Sequence, residues 1–510
     1  MSDSLSRASA PSRATVLVPG DGLPEAEAKA VRDAMTDRAT LGLWRADPSL
    51  SARVVLSRGQ KVVGIIVLLA LVACIVAWPR ASLIAVVAAV GLSFLISVGF
   101  KFWSSMRGAR VESHYGSVAE TPRIADEDLP RYTVLVPVFR EANIVAQLVG
   151  NLGQLDYPAD KLEILVLVEE ADPETLAAAM AADPPENFTF VVVPASNPQT
   201  KPKACNVGLE LATGDFLVIY DAEDRPDPDQ LRKAVAAFRA HDDNLVCVQA
   251  ALNYFNANEN ALTRMFTLEY SFWFDYMLPG LDFERLPIPL GGTSNHFRMS
   301  GLRALGGWDP FNVTEDADLG IRASGAGMRV GVIDSTTWEE ANTSIPNFIR
   351  QRSRWIKGYL QTVLVHLRRP THLLKIAGPR QALSFIFLVA GTPITFLTVP
   401  LLYLSFIVSI LLGPEVLSDY FPGWLLWLNL FNLGCGSAMM VYVSMMGAFR
   451  RHRYRLVPWA LLNPVYWILH SIAAYKGLWQ LITKPHYWEK TEHGLTSSSE
   501  PEPQRVGSVS

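Results

Sequence analysis

The chain has 510 residues, a hydrophobic fraction of 50%, a charged fraction of 18% and a formal net charge of −4 at pH 7. This length allows a domain with a full core, and the apolar share favours a soluble domain joined to membrane segments over a protein that is soluble throughout. The slightly acidic balance argues against a nucleic-acid partner, because binding phosphates needs a concentrated basic face.

The N-terminal part of the chain is polar and precedes the first long apolar run. We interpret residues 1–60 as a cytoplasmic segment that is partly disordered. Within it, residues 1–20 have a low apolar content and are predicted to be disordered, and residues 23–57 are predicted to form short helices. We predict no cleavable signal peptide, so the first membrane helix would direct the chain to its compartment.

Two apolar runs follow, Val62 to Trp78 and Ser82 to Trp103, each of about the 20 residues that a membrane-spanning helix needs. Basic residues flank the pair on both outer sides, so the positive-inside rule predicts a transmembrane hairpin over residues 61–103 with both ends in the cytoplasm. The alternative is a buried helix pair in a soluble domain, but such helices rarely extend this far without a charge. The flanking basic residues are Arg53, Arg58, Lys61, Lys101, Arg107 and Arg110.

Residues 111–370 alternate short apolar runs with amphipathic stretches, which indicates an α/β domain with a parallel-rich sheet covered on both faces. Ligands of such sheets bind where the parallel strands end. Asp221, Glu223 and Asp224 come directly after the fourth predicted strand. The predicted strands are 132–138, 162–168, 188–193, 215–220 and 245–250, and the predicted helices are 141–155, 229–240 and 317–324.

Two acidic motifs in this domain can carry chemistry. Asp221 and Glu223 are separated by one residue, so their carboxylates can jointly hold a hard divalent cation that also binds phosphate oxygens. A solvated acidic turn is the structural alternative. Thr314, Glu315 and Asp316 open a predicted helix, where Thr314 is also a candidate helix cap and the two acids suit the first turn.

A third motif comprises Gln351, Arg354 and Trp355. An arginine suits phosphate because its planar guanidinium gives paired, permanently charged donors. Apolar residues then recur on one helical face from Ile356 to Leu367. We predict an amphipathic helix on the cytoplasmic membrane surface, with an ordinary packed helix as the alternative.

Apolar segments return over residues 381–482. Residues 382–412 are predicted to form one long or kinked span, and residues 425–449 a span back to the cytoplasm. We predict interfacial or re-entrant helices over residues 458–482, because intramembrane ionisable residues such as those it contains are costly unless they are buried in protein. The tail over residues 495–510 is rich in Ser, Glu and Pro and is predicted to be disordered.

The three motifs, in this order, resemble the catalytic core of membrane-embedded family 2 glycosyltransferases, the superfamily of cellulose and hyaluronan synthases. The resemblance covers about residues 130–370 and implies a GT-A-like nucleotide-sugar-binding domain that uses Mg²⁺ or Mn²⁺. It implies that Asp221 binds the metal together with Glu223 or Asp224, although Glu223 stands where the family has Asp. It also implies that Asp316, beside Glu315, is the catalytic base for the acceptor hydroxyl.

The same resemblance implies further substrate contacts. Glu169 and Glu170 stand where relatives carry an Asp pair near the uridine, and Lys203, in a Lys-Ala-x-Asn segment, is expected to reach the donor phosphates. Lys201 is interpreted as a solvated neighbour. The predicted substrate-binding residues are Thr314, Gln351, Arg354, Trp355, Glu141, Glu169, Glu170, Lys203, Asp221, Gly292 and His296.

These observations predict an inverting glycosyltransferase that elongates a β-linked exopolysaccharide from a nucleotide sugar, with UDP-glucose as the first choice of donor. The catalytic domain would lie on the cytoplasmic side of a bacterial inner membrane, in contact with lipids, with export through the apolar segments and with separate regulatory or export subunits. One alternative is a non-processive transferase acting on a lipid acceptor. A second is a catalytically inactive membrane scaffold subunit.

Overall fold

The computed structural model describes residues 14–115, 124–490 and 496. The predicted disorder of residues 1–13 falls outside the described residues, as does that of the C-terminal tail apart from Thr496. The strands are β1 (Thr15–Leu17), β2 (Tyr132–Val138), β3 (Leu162–Glu169), β4 (Phe188–Val193), β5 (Phe216–Ile219), β6 (Arg225–Pro226), β7 (Leu245–Tyr254), β8 (Asn295–Arg298) and β9 (Arg329–Glu339).

Nineteen α-helices lie within the described residues. Those up to the end of the α/β domain are α1 (Glu25–Ala46), α2 (Arg58–Ala77), α3 (Pro79–Tyr115), α4 (Val145–Leu152), α5 (Pro173–Ala181), α6 (Lys201–Leu211), α7 (Gln230–Arg239), α8 (Ala261–Phe272), α9 (Leu278–Phe283), α10 (Met299–Ala304), α11 (Glu315–Gly325) and α12 (Ile345–His366). Those that follow are α13 (Pro370–Ile376), α14 (Pro379–Phe385), α15 (Gly391–Leu412), α16 (Pro414–Tyr420), α17 (Gly423–Phe431), α18 (Ser437–Arg450) and α19 (Asn463–Thr483).

The described strands form one sheet in the order β1-β4-β3-β2-β5-β8-β7-β9-β6. The first five run parallel, β8 is antiparallel to both β5 and β7, and β9 is parallel to β7. β7 and β9 therefore run in the same direction as β2, β3 and β5, so all five end along the same edge. This arrangement confirms the predicted α/β class with a parallel-rich sheet.

Alternate side chains of each central strand enter separate cores on the two faces of the sheet. On β2, Tyr132, Val134 and Val136 pack in one core with side chains of α4 and α7. Leu135, between them, packs in the other core with side chains of α6 and α8. Helices cover both faces of the sheet, so the side chains on both faces are buried. The sequences of these strands are therefore continuously apolar.

The N-terminal segment is more ordered than the sequence predicted. Residues 15–17, inside the stretch predicted to be disordered, form an edge strand that pairs in parallel with β4. Residues 25–46 form the single helix α1, in place of several short helices, and bury Met35, Ala39 and Leu43. The sequence prediction failed here because this order depends on contacts with distant parts of the chain.

The limits of two helices differ from the prediction. The helix predicted over residues 141–155 is the shorter α4, so Glu141 lies in the loop that follows β2. The helix predicted from Trp355 onward already begins at Ile345, and α19 packs along it. Residues 351–368 are all buried or half-buried, so much of the predicted membrane-facing side is covered by protein.

Five helical segments of the described residues are long and apolar enough to cross a membrane: Arg58–Ala77, Pro79–Val111, Pro379–Leu411, Gly423–Arg450 and Tyr454–Thr483. The first two match the predicted hairpin. The third segment is irregular, as predicted, at two places. A wider π-type turn lies where α14 meets α15, and a proline lies inside α15.

A close crossing of glycines joins the membrane part to the α/β domain. A Cβ atom on Gly108 of α3 would lie 1.9 Å from the Tyr276 carbonyl oxygen, and one on Gly280 of α9 would lie 1.9 Å from the Ser104 carbonyl oxygen. We expect Gly108→Ala to lower the free energy of unfolding by about 1–3 kcal/mol, because the backbones must separate. Thermal unfolding in detergent measures this effect.

The matched control is Gly99→Ala on the same helix, where an added Cβ meets nothing within 4 Å. This control should be neutral or slightly stabilising, since alanine favours helices. Equal melting temperatures for the two variants would contradict the close crossing.

Candidate active site

A cavity of about 520 Å³ lies at the edge where the parallel strands end, and it continues between α12 and the membrane helices. It brings together side chains that are far apart in sequence, from the loop after β2 to α12. The predicted site residues that line it are Glu141, Glu169, Asp221, Glu223, Gly292, Thr314, Glu315, Asp316, Gln351, Arg354 and Trp355. Four predicted residues do not line it: Asp224, Glu170, Lys203 and His296.

Asp221 follows β5 and is paired with a lysine. The Lys201 ammonium, in the first turn of α6, lies 2.5 Å from Asp221 Oδ1 and donates to the Gly292 carbonyl oxygen at 2.5 Å. Burial alone would favour neutral lysine, but Asp221 and the acids of α11 raise the pKa of Lys201, so it stays charged. Lys201 is therefore a cation of the site and not the solvated neighbour that the sequence suggested.

Asp224 stabilises the loop that presents Asp221. Its Oδ2 accepts hydrogen bonds from the Asp221 backbone N–H at 2.7 Å and from the Thr293 hydroxyl. The side chain is fully buried, and burial, together with the charges of Asp221 and Glu223, raises the pKa of Asp224 well above its usual range. Of the two candidates for the second metal ligand, Glu223 thus faces the cavity and Asp224 does not.

Two adjacent carboxylates, Glu315 and Asp316, begin helix α11 beside Asp221. The Trp308 indole N–H donates to Asp316 Oδ1 at 3.0 Å. Burial raises the pKa of Glu315 to about 7. Burial and the Glu315 charge raise the pKa of Asp316 well above its usual range. A carboxylate with a raised pKa and one oxygen held in place can accept a proton from a hydroxyl.

Thr314 marks the start of α11 but does not cap the helix through its side chain. Helix α12 packs closely against it at Gly358, where an added Cβ would lie 2.2 Å from Thr314 Oγ1. That contact places the motif on α12 directly against the acids of α11. Thr314 therefore lies at the predicted N-cap position, but its hydroxyl makes no capping hydrogen bond.

Gln351 and Arg354 reach the cavity from α12. Asn342 Nδ2 donates to Gln351 Oε1 at 2.9 Å and fixes that amide. The Arg354 guanidinium carbon lies 4.6 Å from the centroid of the Trp488 ring, and its Nε has no hydrogen-bond acceptor among the described residues. Among the acids, Glu315 and Asp221 act on it most strongly through their charges. Arg354 is thus a half-buried cation facing the acidic end of the cavity.

Trp355 lines the membrane side of the cavity within an aromatic cluster. Its ring is stacked on Tyr270 with centroids 6.3 Å apart, and the Arg352 guanidinium lies 4.4 Å from its centroid. Arg352 also donates to both Glu269 carboxylate oxygens at 2.7 Å. These contacts hold the Trp355 ring in one orientation in the cavity wall.

The predicted donor residues of β3 and α6 pair with each other. Lys203 is fully buried and its ammonium lies 2.8 Å from Glu169 Oε2. Glu170 is exposed, and its side chain accepts from the Ala195 backbone N–H at 3.0 Å. Contrary to the prediction, Lys203 and Glu170 do not face the cavity; the lysine instead neutralises Glu169, which does.

His296 lies inside the sheet and not in the cavity. Its Nδ1 is 2.7 Å from the Tyr132 hydroxyl and its Nε2 is 3.1 Å from Gln230 Oε1. Burial lowers the pKa of His296 to about 3, so it is neutral. Contrary to the prediction of substrate contact, it is a structural histidine that joins β2 to α7.

Several cavity residues were missed by the sequence reasoning. Glu339 ends β9 at the same sheet edge as Asp221, and a polar residue after the last parallel strand was the available signal. Trp488 and Lys490 lie beyond the last apolar segment. No local pattern marks them, because they reach the cavity only when the chain returns over α12.

The metal-binding capacity of the site rests on two carboxylates. Within residues 14–115, 124–490 and 496, no group of three or more His, Cys, Asp or Glu side chains is arranged to hold a metal ion. Mg²⁺ is commonly held by one or two carboxylates plus substrate phosphates. Asp221 and Glu223 both line the cavity and fit a metal of that kind.

A family model described as "Glycosyl transferase family group 2" matches residues 216–475, slightly more than half of the chain. A probable glycosyltransferase of Bacillus subtilis, YdaM, is 28% identical over 247 residues, which are 47% of this chain and 58% of that protein. Glucomannan 4-beta-mannosyltransferase 1 of Oryza sativa is 26% identical over 248 residues, 47% of each chain. The chain thus spans about half the length of the curated relatives it matches.

Among solved structures, a mannosyltransferase of Pyrobaculum calidifontis in complex with GDP-Man and Mn²⁺ matches with a TM-score of 0.48 and 18% identity, over 77% of this chain and 99% of that one. TarS of S. aureus, residues 1–349, matches with a TM-score of 0.33 and 15% identity, over 73% of this chain and 98% of that one.

Proposed function

We propose that this chain, a member of glycosyl transferase family group 2, is a hexosyltransferase that transfers glucose from UDP-glucose to the end of a growing β-linked glycan, with inversion at the anomeric carbon. The observation that carries the proposal is the shared cavity. Asp221, Asp316 and Arg354 face its acidic end, while Trp355 lines the path toward the membrane helices.

Asp316 is the proposed base. One of its oxygens is held by Trp308, so the other can take the proton of the acceptor hydroxyl. The deprotonated oxygen then forms a bond to the anomeric carbon as the bond from that carbon to the diphosphate breaks. A single displacement of this kind inverts the configuration.

The cations Lys201 and Arg354 are proposed to hold the leaving diphosphate, since both line the acidic end of the cavity. Asp221 and Glu223 are proposed to hold Mg²⁺ or Mn²⁺. When bound, such a metal supplies charge that stabilises the departing diphosphate.

The membrane arrangement is proposed to have four crossings. Gln60 Nε2 donates to the Leu364 carbonyl oxygen at 2.7 Å, so α2 starts beside the catalytic domain. Arg80, at the start of α3, donates to the Tyr420 carbonyl oxygen at the end of α16. This contact supports a shared far side for the segments that follow α2 and α15. Arg451 pairs with Asp275 of the domain, so the chain has returned by the end of α18.

The last apolar segment is proposed to lie at the interface. It starts near Arg453, which donates to the Tyr254 carbonyl oxygen, and ends near Tyr487, whose carbonyl oxygen accepts from Lys357. Both ends therefore meet the catalytic domain. Its length and composition suit a span, but a helix with both ends on one side does not cross. Basic residues on that side support a cytoplasmic catalytic domain.

Donor choice is tested by thermal shift of the detergent-solubilised chain with Mn²⁺ and a panel of nucleotide sugars. UDP-glucose should raise the melting temperature most, because a bound ligand stabilises the folded state. Asp221→Asn should abolish the shift. A shift with GDP-mannose alone would favour transfer of mannose, the sugar in the name of the rice relative. No shift with any donor would contradict the proposed site.

The pH dependence of kcat/KM should report the acid pair of α11. Because the base must be deprotonated, kcat/KM should rise with pH across the neutral range and fall as the pair is protonated at lower pH. Glu315→Gln removes the neighbouring charge that raises the pKa of Asp316. The acidic limb of the profile, where kcat/KM falls as the base is protonated, should therefore move to lower pH.

The control for that profile is Glu170→Gln, an exposed carboxylate outside the cavity, which should leave the limb unchanged. A limb that stays in place in Glu315→Gln would contradict the assignment of Asp316 as the base.

Two alternative functions can be distinguished from the proposed one by their products. A transferase acting on a lipid acceptor would give a small, organic-soluble product from the same acids and arginine. An inactive scaffold would give no product, but it would have no need of Asp316, Asp221 and Arg354 around one cavity.

A further inference from the structure

The cavity carries charges of opposite sign at its two ends. Acidic side chains crowd the end near β5, β9 and α11. The membrane end is lined by Lys101 of α3, Glu269 of α8 and Arg352 of α12. The steps proposed above use the acidic end and leave Lys101 without a role.

Lys101 is an ammonium group with no fixed partner. It is only 9% exposed, and within the described part of the chain no hydrogen bond or ion pair joins its Nζ to another side chain. Glu269 is the acid whose charge acts on it. A buried lysine in a membrane segment is costly unless a counter-charge is provided.

Glu269 cannot serve as that counter-charge, because other groups occupy it. Arg352 donates to both of its oxygens at 2.7 Å. The Tyr466 hydroxyl donates to Oε2 at 2.8 Å, and His470 Nε2 lies 3.5 Å from the same oxygen. Arg352 neutralises Glu269, so the charge of Lys101 leaves this end of the cavity net positive.

The membrane end of the cavity also offers groups of the kinds that contact sugars. Thr392, Ser444 and Asn463 offer hydrogen-bonding groups, while Trp355 and Trp467 offer flat aromatic faces. The Thr392 and Ser444 hydroxyls already donate to the carbonyl oxygens of Leu388 and Met440, so what they offer a sugar hydroxyl is an acceptor oxygen. Sugars use both such polar contacts and aromatic faces. The missing anion is therefore best supplied by a sugar that itself carries one.

We propose that the membrane end of this cavity binds an acidic sugar unit of the acceptor glycan, whose carboxylate pairs with the Lys101 ammonium. The proposal rests on the proposed function, since it specifies the class of acceptor that the transferase takes. It predicts that a glycan containing uronic acid binds more tightly than a neutral glycan of equal length.

The test is binding of a β-linked glucuronate tetrasaccharide and of a neutral β-linked glucose tetrasaccharide to the full chain in nanodiscs without donor, measured by calorimetry. The acidic probe should bind more tightly, and Lys101→Met should weaken it roughly tenfold to a hundredfold, as expected for the loss of a charge-assisted contact. Lys101→Arg should retain most of the affinity. Lys61→Met, at an exposed lysine outside the cavity, is the matched control.

Equal binding of the two probes, binding of neither, or full affinity for the acidic probe in Lys101→Met would overturn the proposal. Binding of a short-chain dialkyl phosphate, without binding of the acidic tetrasaccharide, would overturn it in favour of a lipid anion. Nucleotide-sugar binding, followed by thermal shift on the same samples, reports the proposed function separately. Loss of donor binding would count against the transferase site, whichever result the acceptor probes give.

Discussion

Replacement of Asp316 by Asn should lower kcat by about 10²–10⁴-fold, the usual range for loss of a general base. Asparagine has nearly the same shape and can still accept the Trp308 N–H, which is 3.0 Å from Asp316 Oδ1. The variant should therefore fold and bind donor as the wild type does. Steady-state transfer of labelled sugar, with the donor-induced thermal shift measured in parallel, checks both parts of this expectation.

A suitable control is Asp160→Asn, which changes an exposed carboxylate outside the cavity in the same way. It should leave kcat unchanged. If Asp316→Asn kept more than about a tenth of the wild-type kcat, the base would have to be another group, and Glu315 would be the next candidate.

Replacement of Arg354 by Lys should lower kcat by about 10²–10³-fold, similar to the loss of one preorganised donor to developing charge. The charge remains, but the planar, paired donors of the guanidinium are lost. Its contact with the Trp488 ring, at 4.6 Å from the centroid, is also weakened. The main effect should fall on kcat, because the leaving diphosphate gains charge in the transition state.

The control on the same helix is Arg350→Lys, which does not line the cavity and should behave as wild type. A rise in KM with unchanged kcat in Arg354→Lys would contradict a role in leaving-group stabilisation. It would instead assign Arg354 to ground-state binding of the donor.

The strands and the main acids of the site could be predicted because their signals are local. A run such as residues 132–138 is apolar on both faces, which marks a buried parallel strand. Asp221 directly follows such a strand, so its place at the sheet edge follows from topology alone. Asp316 and Arg354 belong to short motifs whose order along the chain carries the resemblance.

The choice between neighbouring residues could not be predicted. Lys201 and Lys203 are two positions apart on α6, so they point to roughly opposite sides of the helix. Which of them meets Asp221 depends on how α6 is rotated against the sheet. The same limit applies to Glu223 and Asp224, because the conformation of the loop after β5 decides which carboxylate is buried.

Contacts between residues far apart in the sequence could not be predicted either. The edge strand β1 gains its order from pairing with β4, and three residues carry too little pattern to indicate a strand. Trp488 reaches Arg354 only because the chain after α19 folds back over α12, where Gln361 Nε2 donates to the Pro485 carbonyl oxygen at 3.0 Å. Such contacts depend on tertiary packing, which local sequence does not encode.

The most direct test of the account is product analysis with the purified chain, Mn²⁺, labelled nucleotide sugars and an added glycan acceptor, with Asp316→Asn as the control. The account predicts labelled material of high molecular weight that a β-specific glycosidase digests and that the variant does not form. Label confined to an organic extract, or equal product from Asp316→Asn, would contradict it.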